Sequence, residues 1–203
     1  MILDDFLAVL KSRRSIRNFN DHKPSRAQIE QLIEVAGWSP SNHNRQGCKF
    51  IIYENKQHIT ELADKIRSSL KSSLVQTNRT VSDHSDELLH FAGAFENAPV
   101  VIVAMHKKSP AMGHSLLTAA TNALASGEAI STAMACQNIL LAAHAMGLGG
   151  CIMTAPLFAG DVWKSIKDLP AGFEPTCIVT LGYPAAIPDM PKRKKLEHIL
   201  EYR

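Results

Sequence analysis

Two short clusters of basic residues form the part of the sequence best suited to chemistry. The first, Arg13–Arg17, contains three arginines and Ser15, and the second, Lys192–Lys195, is an unbroken basic run. Guanidinium groups match phosphate oxygens bidentately, so the first cluster could clamp a phosphate. Its alternative role is a solvated helix end, because cations also stabilise a helix C-terminus. A solvated tail is the alternative for the second cluster.

The overall charge of the chain limits the kind of anion that these clusters could bind. Lysine and arginine total 22 against 19 aspartates and glutamates, which gives a net charge of +3. A nucleic-acid-binding protein that neutralises many phosphates usually has a larger basic excess. Two local patches with little net charge favour a small anionic ligand, and a small nucleic-acid-binding module is the weaker alternative.

A polar loop is the second candidate binding region. Ser39–Gly47 contains almost nothing to bury and lies between a predicted helix and a predicted strand. Loops held in this way often carry binding groups, although an ordinary connection would have the same composition.

Signatures of several other chemistries are missing from the sequence. It contains neither His-Glu-x-x-His nor a Cys–His pairing at zinc spacing, so no metal site is expected. No Gly-x-Ser-x-Gly surrounds a serine, and Gly147–Gly150 lacks the dinucleotide-binding spacing. The four cysteines lie far apart in apolar contexts without a Cys-x-x-Cys pair. We therefore expect reduced thiols in a cytoplasmic protein.

The elements that must position these residues alternate irregularly, which indicates an α+β fold. Helical spacing or an apolar run predicts each of them. The predicted helices are Ile2–Lys11, a helix that begins at Pro24–Ser25 with a capping box to Gln28, His58–Leu74, a helical stretch from Gly113 to Gly127, and Glu128–Met146. The predicted strands are Cys48–Tyr53, Pro99–Met105 and Thr176–Leu181.

Two segments carry more specific expectations. Glu128–Met146 is apolar almost all round, which predicts burial in the domain centre or in a subunit interface, and Gly147–Gly150 would end it. Val75–Glu87 is polar, and we expect a mobile lid or loop over about residues 75–96.

Length and hydropathy favour one domain over residues 1–203 and no membrane span. The chain has 203 residues, 45% of them hydrophobic, enough for one core without disulfides. Its longest apolar run, Pro99–Met105, is far shorter than the ~20 residues that cross a bilayer. Asp4 and Asp5 stand where a signal peptide would be basic and then apolar.

Several motifs, taken together and in order, resemble the nitroreductase family of FMN-dependent oxidoreductases. The resemblance covers nearly the whole chain apart from about residues 55–96. The motifs lie at Arg13–Phe19, Ser39–Gln46, Asn97–Val103, Ala133–Gly149, Pro170–Pro175, Leu181–Pro184 and Pro191–Lys195.

The resemblance implies a fold, a cofactor and a reaction. The fold would be a nitroreductase-like α+β fold, with a mixed β-sheet flanked by helices, in an intertwined homodimer with FMN at the subunit interface. NAD(P)H would deliver hydride to the flavin, which would pass electrons to a nitroaromatic, quinone or similar small-molecule acceptor in a ping-pong cycle. Flavin N5 carries the chemistry, so no side chain is expected to be catalytic. Neither nucleic acid nor membrane is an expected partner.

The resemblance also assigns cofactor-binding roles to individual residues. The FMN phosphate and ribityl chain would be held by Arg13, Arg14, Ser15 and Arg17, with Arg17 reaching the N1–C2 carbonyl edge of the flavin. The opposite subunit would contribute Pro40, Ser41, Asn42 and Asn44. The backbone near flavin N5 would belong to Met153, Thr154 and Ala155. The phosphate site would be completed by Arg193 and Lys195.

The chain departs from the family pattern at one motif, and two further functions stay open. Gly47-Cys48 stands where family members often have Pro-Trp. One alternative is a flavin-dependent dehydrogenase or dehalogenase-type member with a dedicated substrate. The other is a flavin-binding or storage protein without fast turnover. The motifs do not distinguish NADH from NADPH.

Overall fold

The computed structural model describes residues 3–76, 83–108, 127–166 and 169–203. The helices in these ranges are α1 (Leu3–Ser12), α2 (Arg26–Gly37), α3 (Lys56–Gln76), α4 (Asp83–Gly93), α5 (Gly127–Ala145) and α6 (Gly160–Ser165). The strands are β1 (Cys48–Tyr53), β2 (Val100–Lys107), β3 (Gly149–Met153) and β4 (Phe173–Gly182). Short 3-10 turns cover Asn42–Asn44, Ala94–Asn97, Ala155–Phe158 and Leu196–His198.

The four strands form one sheet in the order β1-β2-β4-β3, and every neighbouring pair is antiparallel. Within the described ranges, the parallel component is the isolated bridge between Ser15 and Gly150. The α+β prediction is confirmed, and the expected mixed character of the sheet is confined to this bridge.

Strand β2 lies at the centre of the core, as its uninterrupted apolar sequence predicts. Val100 to Met105 are all fully buried, and successive side chains point to opposite faces of the sheet. Val100, Ile102 and Ala104 pack towards α2 and α5. Val101, Val103 and Met105 pack towards α3 and α6. The sheet is therefore covered by helices on both faces.

The predicted capping box at the start of α2 is confirmed. The Gln28 backbone N–H donates to Ser25 Oγ at 3.3 Å, and Gln28 Oε1 accepts from the Ser25 backbone N–H at 2.9 Å. These bonds satisfy backbone donors that a helix N-terminus otherwise leaves unpaired. The helix is fixed at its start and leads at its other end into the polar loop.

Helix α5 is buried on one face and exposed on another. Ala135, Cys136 and Ile139 are fully buried against the sheet, whereas Ile130 is 49% exposed and Met134 is 37% exposed. The sequence predicted that this helix is buried in the domain centre or in a subunit interface. Within a single chain, only the face towards the sheet is buried. The other face leaves apolar side chains in contact with solvent.

Strand β3 is an element that the sequence analysis missed. Gly147, with φ at +75°, ends α5 as predicted, but Gly149 and Gly150 begin a strand. A Cβ on Gly150 would lie 2.2 Å from the Thr180 carbonyl oxygen. Glycine is therefore required here by the close approach of β4, which a local sequence pattern does not show.

The expected loop over about residues 75–96 is wrong over most of the part that the structure describes. Helix α3 continues to Gln76, α4 occupies Asp83–Gly93 and a 3-10 turn follows. Leu89, Ala92 and Phe95 pack into the core on the α3 side, and this apolar spacing is the signal that the polar composition obscured. Residues 77–82, and the helical stretch predicted over residues 113–126, lie outside the described residues.

The predictions of no membrane span and of reduced cysteines can be compared with the structure. Among the helices that the structure describes, none is long and apolar enough to cross a membrane. All four cysteines are free thiols, three of them buried and Cys48 half-buried.

Candidate functional site

The first basic cluster lies in an extended segment that runs beside the start of β3 and past the end of β4. The Ile16 backbone N–H donates to the Gly150 carbonyl at 3.0 Å, and Asn20 N–H donates to the Tyr183 carbonyl at 3.0 Å. Ile16 is buried and anchors the segment, while its neighbours Ser15 and Arg17 project to the other side. The backbone that carries the arginines is thus fixed at both ends.

Arg13 and Arg14 present buried nitrogens without acceptors. Both are half-buried and line a pocket of about 110 Å³ with Ser12, His144 and Gly150. Arg14 Nη1 donates to the Lys11 and Arg13 carbonyls at 2.7 and 2.8 Å. Arg13 Nη1 and Arg14 Nε are buried and have no hydrogen-bond partner in the described part of the chain. Buried donors of this kind are normally paired, so the pocket fits an anionic oxygen ligand.

His144 closes this pocket from the C-terminal turn of α5. Its Nε2 lies 2.7 Å from Ser12 Oγ, so this histidine is hydrogen-bonded. Burial, and then the charges of Arg13 and Arg14, lower the pKa of His144. At neutral pH His144 is therefore uncharged, and the positive charge of the pocket comes from its arginines.

The other residues assigned to the flavin lie along β3 and beside it. Met153 and Ala155 are half-buried and Thr154 is exposed. At the rise of a strand, Met153 is about 10 Å from Gly150, which pairs with Ser15. Arg17 is exposed and has no hydrogen bond or ion pair within the described ranges. One strand therefore connects the arginine pocket with the Met153–Ala155 turn.

The polar loop has an unusual backbone. The backbone φ angle is positive at three of its residues, with values of 50° at His43, 53° at Asn44 and 49° at Gln46. This conformation is unfavourable for residues other than glycine. Ser41 stabilises the turn, because its carbonyl accepts from Asn44 N–H at 2.9 Å and its hydroxyl accepts from Gln46 N–H at 3.0 Å. Pro40 is exposed at the start of the turn. A loop strained in this way needs support from outside itself.

That support comes from the first turns of α5. Arg45 Nη1 donates to the buried Glu128 carboxylate at 3.0 Å, and Asn42 Nδ2 lies 3.4 Å from it. The Asn42 backbone N–H donates to Ser131 Oγ at 3.0 Å. Burial raises the pKa of Glu128, but hydrogen bonds from Asn42, from its own backbone and from Arg45 outweigh this, so the pKa lies below its ordinary value. Glu128 is therefore ionised at neutral pH.

The structure does not bring all the assigned residues together within one chain. The loop contacts the start of α5 and the arginine pocket contacts its end, so Ser131 and His144 are about 20 Å apart along the helix. Arg193 and Lys195 lie in an entirely exposed segment, Ala185–Arg203, where Lys195 Nζ is 3.8 Å from Glu197. Within one chain, Arg13–Ser15 therefore lie beside β3, whereas the loop Ser39–Gly47 lies at the other end of α5 and Arg193 and Lys195 lie in the exposed C-terminal segment.

Glu128, Arg45 and Ser131 were missed by the sequence analysis. The sequence contains a signal for Glu128, because it is the one acidic or basic residue, apart from His144, among the apolar and uncharged polar residues of α5. Its partners come from a loop that is more than eighty positions away along the chain, and no local pattern indicates such a pairing.

Comparison with known proteins gives consistent results for sequence and fold. The model of the nitroreductase family matches residues 10–183. A protein provisionally named NAD(P)H nitroreductase, from Streptococcus pyogenes, is 26% identical over 98% of this chain and 99% of its own length. Iodotyrosine deiodinase from Drosophila melanogaster is 25% identical over 95% of this chain and 67% of its own.

Solved structures with the same fold cover the chain completely. A BluB-like flavoprotein from Clostridium difficile has a TM-score of 0.83 at 22% identity, covering 100% of this chain and 99% of its own. A nitroreductase with bound FMN from Desulfitobacterium hafniense has a TM-score of 0.76 at 21% identity, covering 100% of both chains.

The Glu128→Gln variant tests whether the ionised Glu128 carboxylate stabilises the fold through its contacts with the loop. Because the pKa of Glu128 is lowered, its charge stabilises the fold above the ordinary carboxyl pKa of 4.5, and the contribution is lost as pH falls through the lowered value. At neutral pH we expect the variant to lose about 1 kcal/mol of unfolding free energy, a modest loss because Arg45 is partly exposed. Urea unfolding at a series of pH values measures the difference, which should shrink in acid.

Glu30→Gln is the matched control, since Glu30 pairs with Arg26 on the surface of α2. It should change the unfolding free energy little at any pH. A Glu128→Gln difference that persists unchanged in strong acid would contradict the assignment.

Proposed function

The chain belongs to the nitroreductase family, and on that premise we propose that it is an FMN-dependent oxidoreductase. It would oxidise NAD(P)H and reduce a nitroaromatic, quinone or similar acceptor in a two-step, ping-pong cycle. The name of the Streptococcus pyogenes relative supports the nicotinamide donor. The FMN in the Desulfitobacterium hafniense structure supports the cofactor.

The observation that carries the proposal is the pair of buried nitrogens on Arg13 and Arg14 that have no acceptor among the described residues. A phosphate monoester presents several charged oxygens, and charge-assisted hydrogen bonds to them are the strong ones. The pocket that these arginines line, about 110 Å³, is sized for a phosphate group rather than for a ring system. The rest of FMN would extend past Ser15 along β3 towards Met153, Thr154 and Ala155.

FMN, when bound, supplies hydride and electron transfer, and the protein binds and orients it. Arg17 is exposed beside this path and would donate to the N1–C2 edge of the ring, where its charge stabilises negative charge as it develops. The turn Met153–Ala155 would offer its backbone to the region of N5. No side chain of this chain needs to act as a nucleophile or a general acid.

We further propose that the protein is a homodimer built on α5. Ile130, Met134 and Leu141 are apolar, lie on one face of α5 at helical spacing and are exposed or half-buried. Such a stripe is typical of a surface that packs against another helix. In a two-fold dimer both copies would use this same surface.

The C-terminal segment and one sheet edge support an intertwined dimer. Ala185–Arg203 is exposed throughout, although it carries large apolar side chains at Ile187, Met190, Leu196, Ile199, Leu200 and Tyr202. Strand β1 is an edge strand, and a groove of about 590 Å³ lies between it and α2. A C-terminal segment that crosses to the partner would bury these residues and protect the open edge. It would also carry Arg193 and Lys195 to the phosphate.

A two-fold axis across α5 would place the loop Ser39–Gly47 of one subunit next to the arginine pocket of the other. When two α5 helices pack antiparallel, the loop end of one lies opposite the arginine end of the other. The loop of one subunit, with Pro40, Ser41, Asn42 and Asn44, would then complete the FMN site of its partner. The separation of about 20 Å within one chain is the reason that a monomer could not form this site.

A second candidate function is a flavin-dependent dehalogenase or dehydrogenase with a dedicated substrate. The similarity to an iodotyrosine deiodinase over 95% of this chain favours it. A flavin-binding protein without turnover is the remaining alternative. For the location we propose the cytoplasm, and the four free thiols support a reducing compartment.

Removal of Arg13 and Arg193 tests the phosphate site. In the Arg13→Ala/Arg193→Ala variant we expect FMN affinity to fall about ten- to hundredfold per residue, since each charge-assisted hydrogen bond contributes roughly 1.5–3 kcal/mol. Riboflavin, which lacks the phosphate, should bind almost as before. Fluorescence titration with both flavins measures the difference, with Lys65→Ala, at an exposed position of α3, as a surface control. Equal weakening of FMN and riboflavin would show that these arginines do not bind phosphate.

A charge in the exposed stripe of α5 tests the dimer. Leu141→Glu would bury an unpaired carboxylate in the interface, which is destabilising by several kcal/mol. We expect joint loss of the dimer and of FMN, measured by sedimentation and flavin absorbance. Val75→Glu, at an exposed position of α3, is the control and should keep both. A folded Leu141→Glu monomer with full FMN occupancy would refute the two-subunit site.

A further inference from the structure

The loop that would serve the partner's FMN depends on α5 for its shape. Three of its residues that are not glycine have positive φ, so the backbone relaxes unless other contacts hold it. Two of its contacts reach α5: Asn42 N–H binds Ser131 Oγ at 3.0 Å, and Arg45 binds Glu128 at 3.0 Å. These two contacts lie on either side of the positive-φ residues His43 and Asn44.

Glu128 joins the start of α5 to the loop through Arg45 and Asn42. Its side chain is only 6% exposed, whereas that of Arg45 is 52% exposed. A Cβ on the adjacent Gly127 would lie 2.9 Å from Asn42 Nδ2, so the Asn42 side chain packs directly on the start of α5. A buried carboxylate is a poor source of net stability because its desolvation offsets most of the attraction. Its effect here is geometric, since it fixes the Asn42 amide and the Arg45 guanidinium.

We propose that Glu128 is a positioning residue for the FMN site of the partner subunit, acting through Asn42 and Arg45 on the loop Ser39–Gly47. This inference rests on the proposed function and extends it to a residue that does not itself touch the cofactor. Glu128 lies at the loop end of α5, about 20 Å from the arginine pocket of its own chain. Loss of Glu128 in one subunit therefore weakens FMN binding in the other.

The first experiment compares FMN affinity in Glu128→Gln, Arg45→Met and Arg45→Lys dimers. Glu128→Gln keeps the size of the side chain but removes its charge, and we expect FMN to bind about tenfold more weakly while the dimer and the circular dichroism are unchanged. Arg45→Met should produce the same defect, and Arg45→Lys should restore part of the affinity. The double variant should be no worse than either single one, because the two residues act as a unit.

Glu61→Gln, at an exposed position of α3, serves as the control and should bind FMN normally. If Glu128→Gln and Arg45→Met both bind FMN as tightly as the unchanged protein, the inference is wrong. If Glu128→Gln does not fold, Arg45→Met alone decides, because the Arg45 side chain is half-exposed and Asn42 still contacts the Glu128 carboxylate in that variant.

Mixed dimers give a readout that a purely structural role would not produce. In a dimer of one Glu128→Gln chain and one Arg13→Ala chain, action on the partner predicts one site with unchanged affinity. That site combines the intact Arg13 of the first chain with the intact loop of the second. Calorimetric titration should therefore find one tight FMN site per dimer, whereas action within one chain leaves none.

A second mixed dimer, with both substitutions in the same chain, gives the opposite expectation for the two modes of action. When both substitutions lie in one chain and the other chain is unchanged, action on the partner predicts no tight site, and action within one chain predicts one. The reverse pattern would overturn the inference while leaving FMN binding by the unchanged dimer intact. Failure of the unchanged dimer to bind FMN would instead overturn the proposed function.

Discussion

The length of α5 is the constraint on which the rest of the account depends. The helix packs one face on the sheet, supports the polar loop at its start and borders the arginine pocket at its end. Because a rigid helix keeps these ends about 20 Å apart, the loop and the arginines cannot meet within one chain. The exposed apolar stripe on the same helix is the surface through which a second copy would bring them together. One element thus determines both the incompleteness of the single chain and the geometry that would complete it.

Charge burial distinguishes the two ends of this helix. At the loop end, the buried Glu128 is paired with Arg45 and Asn42, so its charge is compensated within the chain. At the other end, Arg13 and Arg14 bury nitrogens that have no acceptor among the described residues, and His144 stays neutral beside them. The first arrangement holds a conformation, whereas the second supports the proposed anion site. This contrast is the physical ground for proposing an anion at the arginines and a positioning role at Glu128.

Sequence reasoning succeeded where the physics is local. The bonds between Ser25 and Gln28, the buried run of β2 and the end of α5 at Gly147 each follow from residues close together in the chain. It failed where distant segments decide the outcome. Strand β3 depends on Gly150, which admits β4 at close range, and on Gly149, which leaves room for the Ile16 side chain. Helix α4 is held by apolar residues such as Leu89 and Ala92. The residue types of the arginine cluster made it a candidate site from the sequence, but the contacts of Glu128 with the loop could be seen only in the folded chain.

The most direct test of the central claim is an anaerobic titration of the purified protein with NADH and with NADPH, followed by flavin absorbance. We expect a yellow protein whose FMN is bleached by at least one of the two nicotinamides, and whose colour returns when a quinone or nitroaromatic is added. A protein that binds no flavin would contradict the site built around Arg13 and Arg14. A protein that holds FMN but keeps its colour with both nicotinamides would contradict the oxidoreductase and favour flavin binding without turnover.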